Sequence, residues 1–188
     1  LQLENRPQFL LHFLALNALG ASVVPLNPDY REAELAYVLE HSEASALVDA
    51  RTLERPPRPG KPVGATECAL LYTSGTTGKP KGCLLSNFYF LNVGRRYLDE
   101  GGLCAVRPGA ERLITPLPFF HMNALAVSTT AMILSGGCLI QLDRFHPRTW
   151  WRDVAQSGAT IVHYLGVMPA ILNNQAADFH ETQHVVRF

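Results

Sequence analysis

Lysine is scarce in this chain: Lys61, Lys79 and Lys81 are the only lysines among 16 basic residues, the rest being arginine. The 16 acidic residues balance them, and a zero formal net charge gives no reason to expect nucleic acid or an anionic membrane as partner. Cys68, Cys83, Cys104 and Cys138 lie far apart with no CxxC pair, which excludes a zinc knuckle or a disulfide framework. The apolar surroundings of most of them predict buried, reduced thiols in a cytoplasmic protein. No apolar run reaches the length that crosses a bilayer, so no transmembrane segment is expected, although peripheral contact with a membrane surface is compatible with that. The opening LQLENRPQFLLHFLALNALG lacks the basic leader and cleavage site of a signal peptide. The chain does not start with Met and stops in the apolar run VVRF, as a piece of something longer would. No oligomeric state is legible.

What is present is ordinary globular material: 188 residues, 47% hydrophobic and 17% charged, enough for one large or two small cores. Apolar strands alternate with amphipathic helices. Asn5 is placed to cap a helix from about Pro7 to Leu19, with Phe9, Leu10, Phe13 and Leu14 on one face and Gly20 at its end. SVVPLNP reads as a short strand, REAELAYVLEHSE as a helix and SALVD as a strand, while 51–66 is Pro- and Arg-rich and reads as a linker or gap. CALLYTS is a strand that runs into a glycine-rich loop, and helix FYFLNVGRRYLDE follows the loop. Beyond it come strand RLITPLP, a helix near AVSTTAMIL, strand GGCLIQL, helix HPRTWWRDVAQSG with Pro147 in its first turn, strand ATIVHYLG and helix MPAILNNQAA. The pattern is α/β, with a mostly parallel sheet covered on both faces.

The loop lies in LLYTSGTTGKPKGCLLSN, residues 70–87, and holds two of the three lysines. Gly75, Gly78 and Gly82 allow unusual backbone angles and close approach of a bulky anion, so that successive N–H groups can form a nest. Thr73, Ser74, Thr76 and Thr77 add hydroxyl donors, Lys79 and Lys81 add compact positive charge, and Pro80 stiffens the exit. Every group donates and none is acidic, which suits a polyphosphate. The common P-loop, G-x-x-x-x-G-K-[ST], fails at both ends, because Thr73 stands five before Gly78 and Pro80 follows Lys79. G-x-G-x-x-G is absent too, so a dinucleotide fold is not indicated.

YTSGTTGKPKG, residues 72–82, resembles the phosphate-binding signature of the adenylate-forming superfamily, the AMP-binding enzymes that include acyl-CoA synthetases. Residues 20–48 are similar to the segment upstream of that signature, and ITPLPFFHMNA, residues 114–124, to the stretch carrying a gating His beside the acyl pocket. ATIVHYLGVMPAIL, residues 159–172, resembles the strand and helix that line this pocket, and HYLGVMPAIL resembles crotonobetaine/carnitine-CoA ligase-like members. The resemblance implies an acid–CoA ligase that spends ATP with Mg²⁺ to form an acyl-adenylate and passes the acyl group to coenzyme A. It places the chain within a partial N-terminal domain, built from 1–50 and 67–188, and the family's mobile C-terminal domain beyond Phe188. It implies Lys81 and His121 as catalytic, and Thr73, Ser74, Gly75, Thr76, Thr77, Gly78, Lys79 and Gly82 as the grip on ATP phosphates. Phe120, Met122, His163, Tyr164 and Met168 would be walls for a small carboxylic acid of fatty-acid type or another class. No nucleic acid is implied, and no metal ligand among these residues.

Two other readings stand beside this one. The chain could be a nucleotide-binding paralogue without catalysis. HETQH, residues 180–184, also matches the zinc-peptidase pattern H-E-x-x-H, but Asp178 just ahead, the strand-like VVRF after it and the absence of a later ligand favour a solvated helix end.

Overall fold

The structure, a computed structural model, describes residues 1–49, 61–73 and 79–188. It divides into two compact units, Leu1–Leu91 with Phe119–Met122, and Asn92–Pro118 with Asn123–Phe188. The class is α/β, as expected, but the parallel sheet has three strands and a separate antiparallel pair stands in the other unit.

In the first unit, helix α1 (Pro7–Ala18) starts on a proline, whose missing N–H costs nothing there. Its N-cap is Arg6, not Asn5, because the Asn5 side chain is used elsewhere and accepts a hydrogen bond from the Phe119 amide at 2.9 Å. Gly20 follows the helix at φ 80°, a left-handed angle natural to glycine. Only Phe9 and Phe13 of the expected apolar face are buried; Leu14 is 46% exposed. Phe9 and Phe13 instead belong to a run of aromatic rings, with Phe119 5.1 Å from Phe9 and Phe90 5.7 Å from Phe13. Helix α2 (Glu32–His41) is opened by Glu34, whose carboxylate accepts the Arg31 amide at 2.9 Å. Its Val38 packs with Leu26 and Tyr72 in the unit's core.

Strands β1 (Glu67–Thr73) and β2 (Lys81–Ser86) pair antiparallel, with Tyr72 opposite Gly82 and Thr73 opposite Lys81. The sequence pattern gives KGCLLS no element of its own within the stretch 70–87; the structure makes it strand β2, paired along β1. The expected strand at SVVPLNP reduces to one parallel bridge, Val23 to Ala69, since Pro25 and Pro28 have no N–H to donate to a ladder. SALVD forms no strand among the described residues; its Val48 carbonyl accepts a single bond from the Gln2 amide. Helix α3 (Asn87–Asp99) begins in this unit and its later turns belong to the second.

The second unit is built around β3 (Arg112–Thr115), flanked in parallel by β4 (Cys138–Gln141) and β5 (Ile161–Val162). Strand alternation sends Leu113 and Ile114 to opposite faces. On one face Leu113 and Ile161 meet Ala131 and Met132 of α4 (Thr129–Ser135), with Tyr97 and Leu98 of α3 alongside. On the other, Ile114 meets Trp150 and Val154 of α5 (Trp150–Ser157) and Met168 of α6 (Met168–Asn173). A parallel sheet buried on both faces is the arrangement that βα alternation requires. Helix α5 starts three residues after Pro147 rather than on it.

All four cysteines are free, and the expectation of buried thiols holds for Cys68 but fails for Cys83 and Cys104, which are exposed. Cys83 sits on a hairpin strand with open faces, and Cys104 ends an exposed 3₁₀ turn, Gly102–Cys104, after α3. An apolar sequence neighbourhood was a poor guide where the element itself is half solvated. No helix among the described residues is long and apolar enough to cross a membrane.

Candidate functional site

The β1–β2 hairpin carries the glycine-rich loop at its open end. Thr73, the last residue of β1, and Lys81, the first of β2, face each other across the pair, and both are exposed. Ser74, Gly75, Thr76, Thr77 and Gly78 lie outside the described residues. Alternation puts Tyr72 and Gly82 on the face that packs against α2, so Thr73 and Lys81 are on the other. Gly82 has a packing reason for lacking a side chain: a Cβ there would stand 2.9 Å from Leu70 Cδ1 and 3.3 Å from Tyr72 Cζ.

The two lysines differ in surroundings. The Lys79 ammonium lies 5.4 Å from the centroid of the Tyr37 ring, a cation–π contact. Lys81 has no ion-pair partner among the described residues and is the free cation at the mouth. Helix α2 braces both strands there. The Tyr37 hydroxyl donates to the Pro80 carbonyl at 3.1 Å, and His41 Nδ1 is 2.7 Å from the Tyr72 hydroxyl. Neither Tyr37 nor His41 was singled out from sequence; the signal was their i, i+4 spacing on one helical face of AELAYVLEH.

His121 belongs to the first unit, in the short segment Phe119–Met122. Phe119 anchors this segment by its stack on Phe9 and by its backbone N–H, which donates to Asn5 Oδ1. His121 and Met122 are exposed, and the Phe120 ring lies 4.6 Å from the imidazole. Partial burial pulls His121 below the ordinary imidazole value, so it is neutral at pH 7.

In the second unit, His163 is bound at both nitrogens: Nδ1 to Ser128 Oγ at 2.7 Å and Nε2 to the Tyr97 hydroxyl at 2.8 Å. Ser128 Oγ in turn donates to the Asn123 carbonyl at 3.2 Å. The serine proton is therefore spent on Asn123, so Nδ1–H donates to Ser128 and Nε2 accepts from Tyr97. Burial lowers the His163 pKa to about 4 and raises that of Tyr97 to about 12. The chain closes a wide, π-helical turn at Asn123–Ser128, a form that occurs often near functional sites. Met168 is buried with Trp150 and Ile114, a different cluster from the one flanked by Tyr97, so His163 and Met168 do not share one wall. Tyr164 is 52% exposed at the carboxyl end of β5.

HETQH does not form the helix a zinc peptidase uses. Phe179–Thr182 is one 3₁₀ turn, in which residues four apart point about 120° apart. His180 is held by Asp178 at 2.7 Å, and His184 stacks on Trp151 at 5.6 Å. Among the described residues no group of three metal-ligating side chains gathers.

The family model described as AMP-binding enzyme matches residues 1–63 and 50–187. The chain belongs to the AMP-binding enzyme family. Among its relatives, the sulfoacetate–CoA ligase of Cupriavidus necator is 29% identical over 95% of this chain and 40% of its own length. The crotonobetaine/carnitine–CoA ligase of Escherichia fergusonii is 25% identical over the whole chain and 44% of its own length. The o-succinylbenzoate CoA synthetase of Bacillus subtilis, solved in complex with its acyl-adenylate intermediate, shares the fold at a TM-score of 0.75 and 19% identity, over 98% of this chain and 52% of that one. This AMP-binding chain thus spans about two fifths of the length of the curated relatives it matches.

Proposed function

We propose that the protein is an ATP-dependent carboxylic acid–CoA ligase, and that this chain contributes its grip on the nucleotide phosphates. The reading is supported above all by the hairpin mouth: strand ends that set Thr73 beside Lys81 flank a segment of hydroxyls, glycines and one ammonium group without a carboxylate. The names of both curated relatives agree with it.

The chemistry follows from the acid. A carboxylate resists attack by a thiol because oxide is a poor leaving group. Its oxygen attacks the α-phosphorus of ATP, the α–β anhydride bond breaks, and pyrophosphate leaves. Negative charge grows on the departing phosphates, where preorganised donors and a cation lower the barrier. Lys81 and Thr73 would supply these from the strand ends, with Ser74, Gly75, Thr76, Thr77, Gly78 and Gly82 completing the grip and Lys79, its ammonium against the Tyr37 ring, adding charge only at the margin. The sulfur of coenzyme A then attacks the acyl carbonyl and AMP leaves. Mg²⁺ would neutralise phosphate charge and would be carried on the nucleotide, since the mouth offers cations and hydroxyls rather than metal-ligating carboxylates. Of the residues expected at the acid, His121 and Met122 in the first unit and Tyr164 in the second are exposed and would be open to a ligand, whereas Met168 is buried as scaffold and His163 uses both ring nitrogens within its own unit. The acids in the relatives' names differ, so the substrate class is a carboxylic acid and no narrower.

The full-length protein is expected to catalyse carboxylate-dependent exchange of labelled pyrophosphate into ATP. Lys81→Ala should lower kcat/KM for ATP by about 100-fold, the scale of one lost charge-stabilising group, with an unchanged circular-dichroism spectrum. Silence across short, medium, aromatic and quaternary-ammonium acids would reject the ligase.

A further inference from the structure

The two lysines at the loop exit are distinguished by contacts from helix α2. Tyr37 uses two parts of one side chain: its hydroxyl donates to the carbonyl of Pro80 at 3.1 Å, and its ring faces the Lys79 ammonium at 5.4 Å. One turn later on α2, His41 holds the Tyr72 hydroxyl on the entering strand at 2.7 Å, with the Tyr37 and His41 rings 5.4 Å apart. The helix therefore contacts the strand that enters the loop and the chain that leaves it. Val38 between them is 1% exposed and packs with Tyr72 and Leu26, which fixes the helix against the hairpin. Pro80 suits this contact, because its ring limits the backbone while its carbonyl remains free to accept.

We propose that Tyr37 is a positioning residue for the loop exit: by holding Pro80 and engaging Lys79, it leaves Lys81 as the cation presented at the mouth. The inference rests on the phosphate reading above for its consequence in catalysis, but not for the brace itself. Lys79 is restrained against an aromatic face by a contact that survives exposure to water only weakly. The hydroxyl bond to Pro80 carries the larger share of the positioning, and it is lost alone in Tyr37→Phe.

The test uses the full-length protein and two readouts. Amide hydrogen exchange at Lys81–Cys83 should quicken in Tyr37→Phe by about three- to tenfold, the factor one neutral hydrogen bond is worth. The KM for ATP in pyrophosphate exchange should rise by about the same factor, while the KM for the acid changes by less than about twofold. Tyr37→Leu, which also removes the ring under Lys79, should exceed Tyr37→Phe in both readouts, and Glu40→Ala, exposed on the same helix, should change neither. Unaltered amide exchange in both Tyr37 variants, or a parallel rise of the two KM values, would overturn the proposal. A protein without pyrophosphate exchange, whose Lys81–Cys83 amides still quicken in Tyr37→Phe, would uphold the brace and overturn the ligase reading instead.

Discussion

Glu111 keeps its charge with none of its side chain exposed. Burial alone would raise its pKa, but Arg107 and Thr160 donate to the carboxylate, the Arg107 amide adds a third bond and the Arg187 guanidinium a further charge, and the balance brings it down to about 2. The folded value lies below the ordinary 4.5, so the stabilisation is fully present above pH 4.5 and is lost as pH falls from there toward 2. Glu111→Gln should cost about 3 kcal/mol at pH 7, the scale of a broken buried ion pair. Urea midpoints of variant and wild type should converge below about pH 2; a constant gap would refute this account. His163 acts at higher pH with the same sign. Its folded value of about 4 lies below 6.5, so stability is present above pH 6.5 and lost as pH drops toward 4, where an imidazolium would put a proton against the Tyr97 hydroxyl. His163→Asn can keep a donor toward Ser128 without a titrating ring and should remove that limb of the curve. In the sequence His163 stands on a strand end and, by resemblance, as a pocket wall; its bonds to Ser128 and Tyr97 leave no local signal, because those partners are 35 and 66 positions away.

Among the elements, the helices were the legible part. Both α2 and α3 stand close to where their apolar spacing put them, since helix periodicity is local. The strands were harder. KGCLLS carries no strand signal of its own, because its identity as a strand depends on pairing with β1, and SVVPLNP has the apolar run of a strand although its prolines leave it only one bridge. The loop motif itself was legible at once, but the brace of Tyr37 and His41 was not, since it depends on how α2 meets the hairpin. Helix α3 carries a second contact that no spacing reveals. A Cβ on Gly94 would lie 2.7 Å from Thr130 Cγ2 and 3.1 Å from the Thr130 carbonyl carbon. The backbone carbon cannot rotate away as a side-chain tip could, so overpacking should cost about 1–3 kcal/mol. Better helix propensity returns at most about 1 kcal/mol. The steric cost wins, and Gly94→Ala is expected to lower the urea midpoint, whereas Gly82→Ala, which meets mainly the mobile tip of Leu70, should lower it less.

At the scale of the molecule, the two units carry different candidate groups. The first holds Thr73, Lys79, Lys81 and His121, while His163, Tyr164 and Met168 belong to the second. Within the second unit, ligand crevices of parallel sheets form beyond the carboxyl ends of the strands. Residues 164–167 leave β5 at that end, and Tyr164, Leu165 and Val167 are 52%, 57% and 69% exposed there. Met168, the next residue, turns into the core at 7% exposure. One pair of truncations can therefore separate a wall of the proposed acid site from the scaffold beneath it. In the full-length protein, Tyr164→Ala should raise the KM for the acid by about tenfold, the scale of one lost aromatic contact, and leave the KM for ATP and the urea midpoint unchanged. Met168→Ala should cost about 2–4 kcal/mol of stability and move the two KM values little or together. If Tyr164→Ala instead moved the ATP parameter, or lowered stability as Met168→Ala does, the exposed loop would belong to the scaffold, and the acid's place would have to be sought in residues of the first unit.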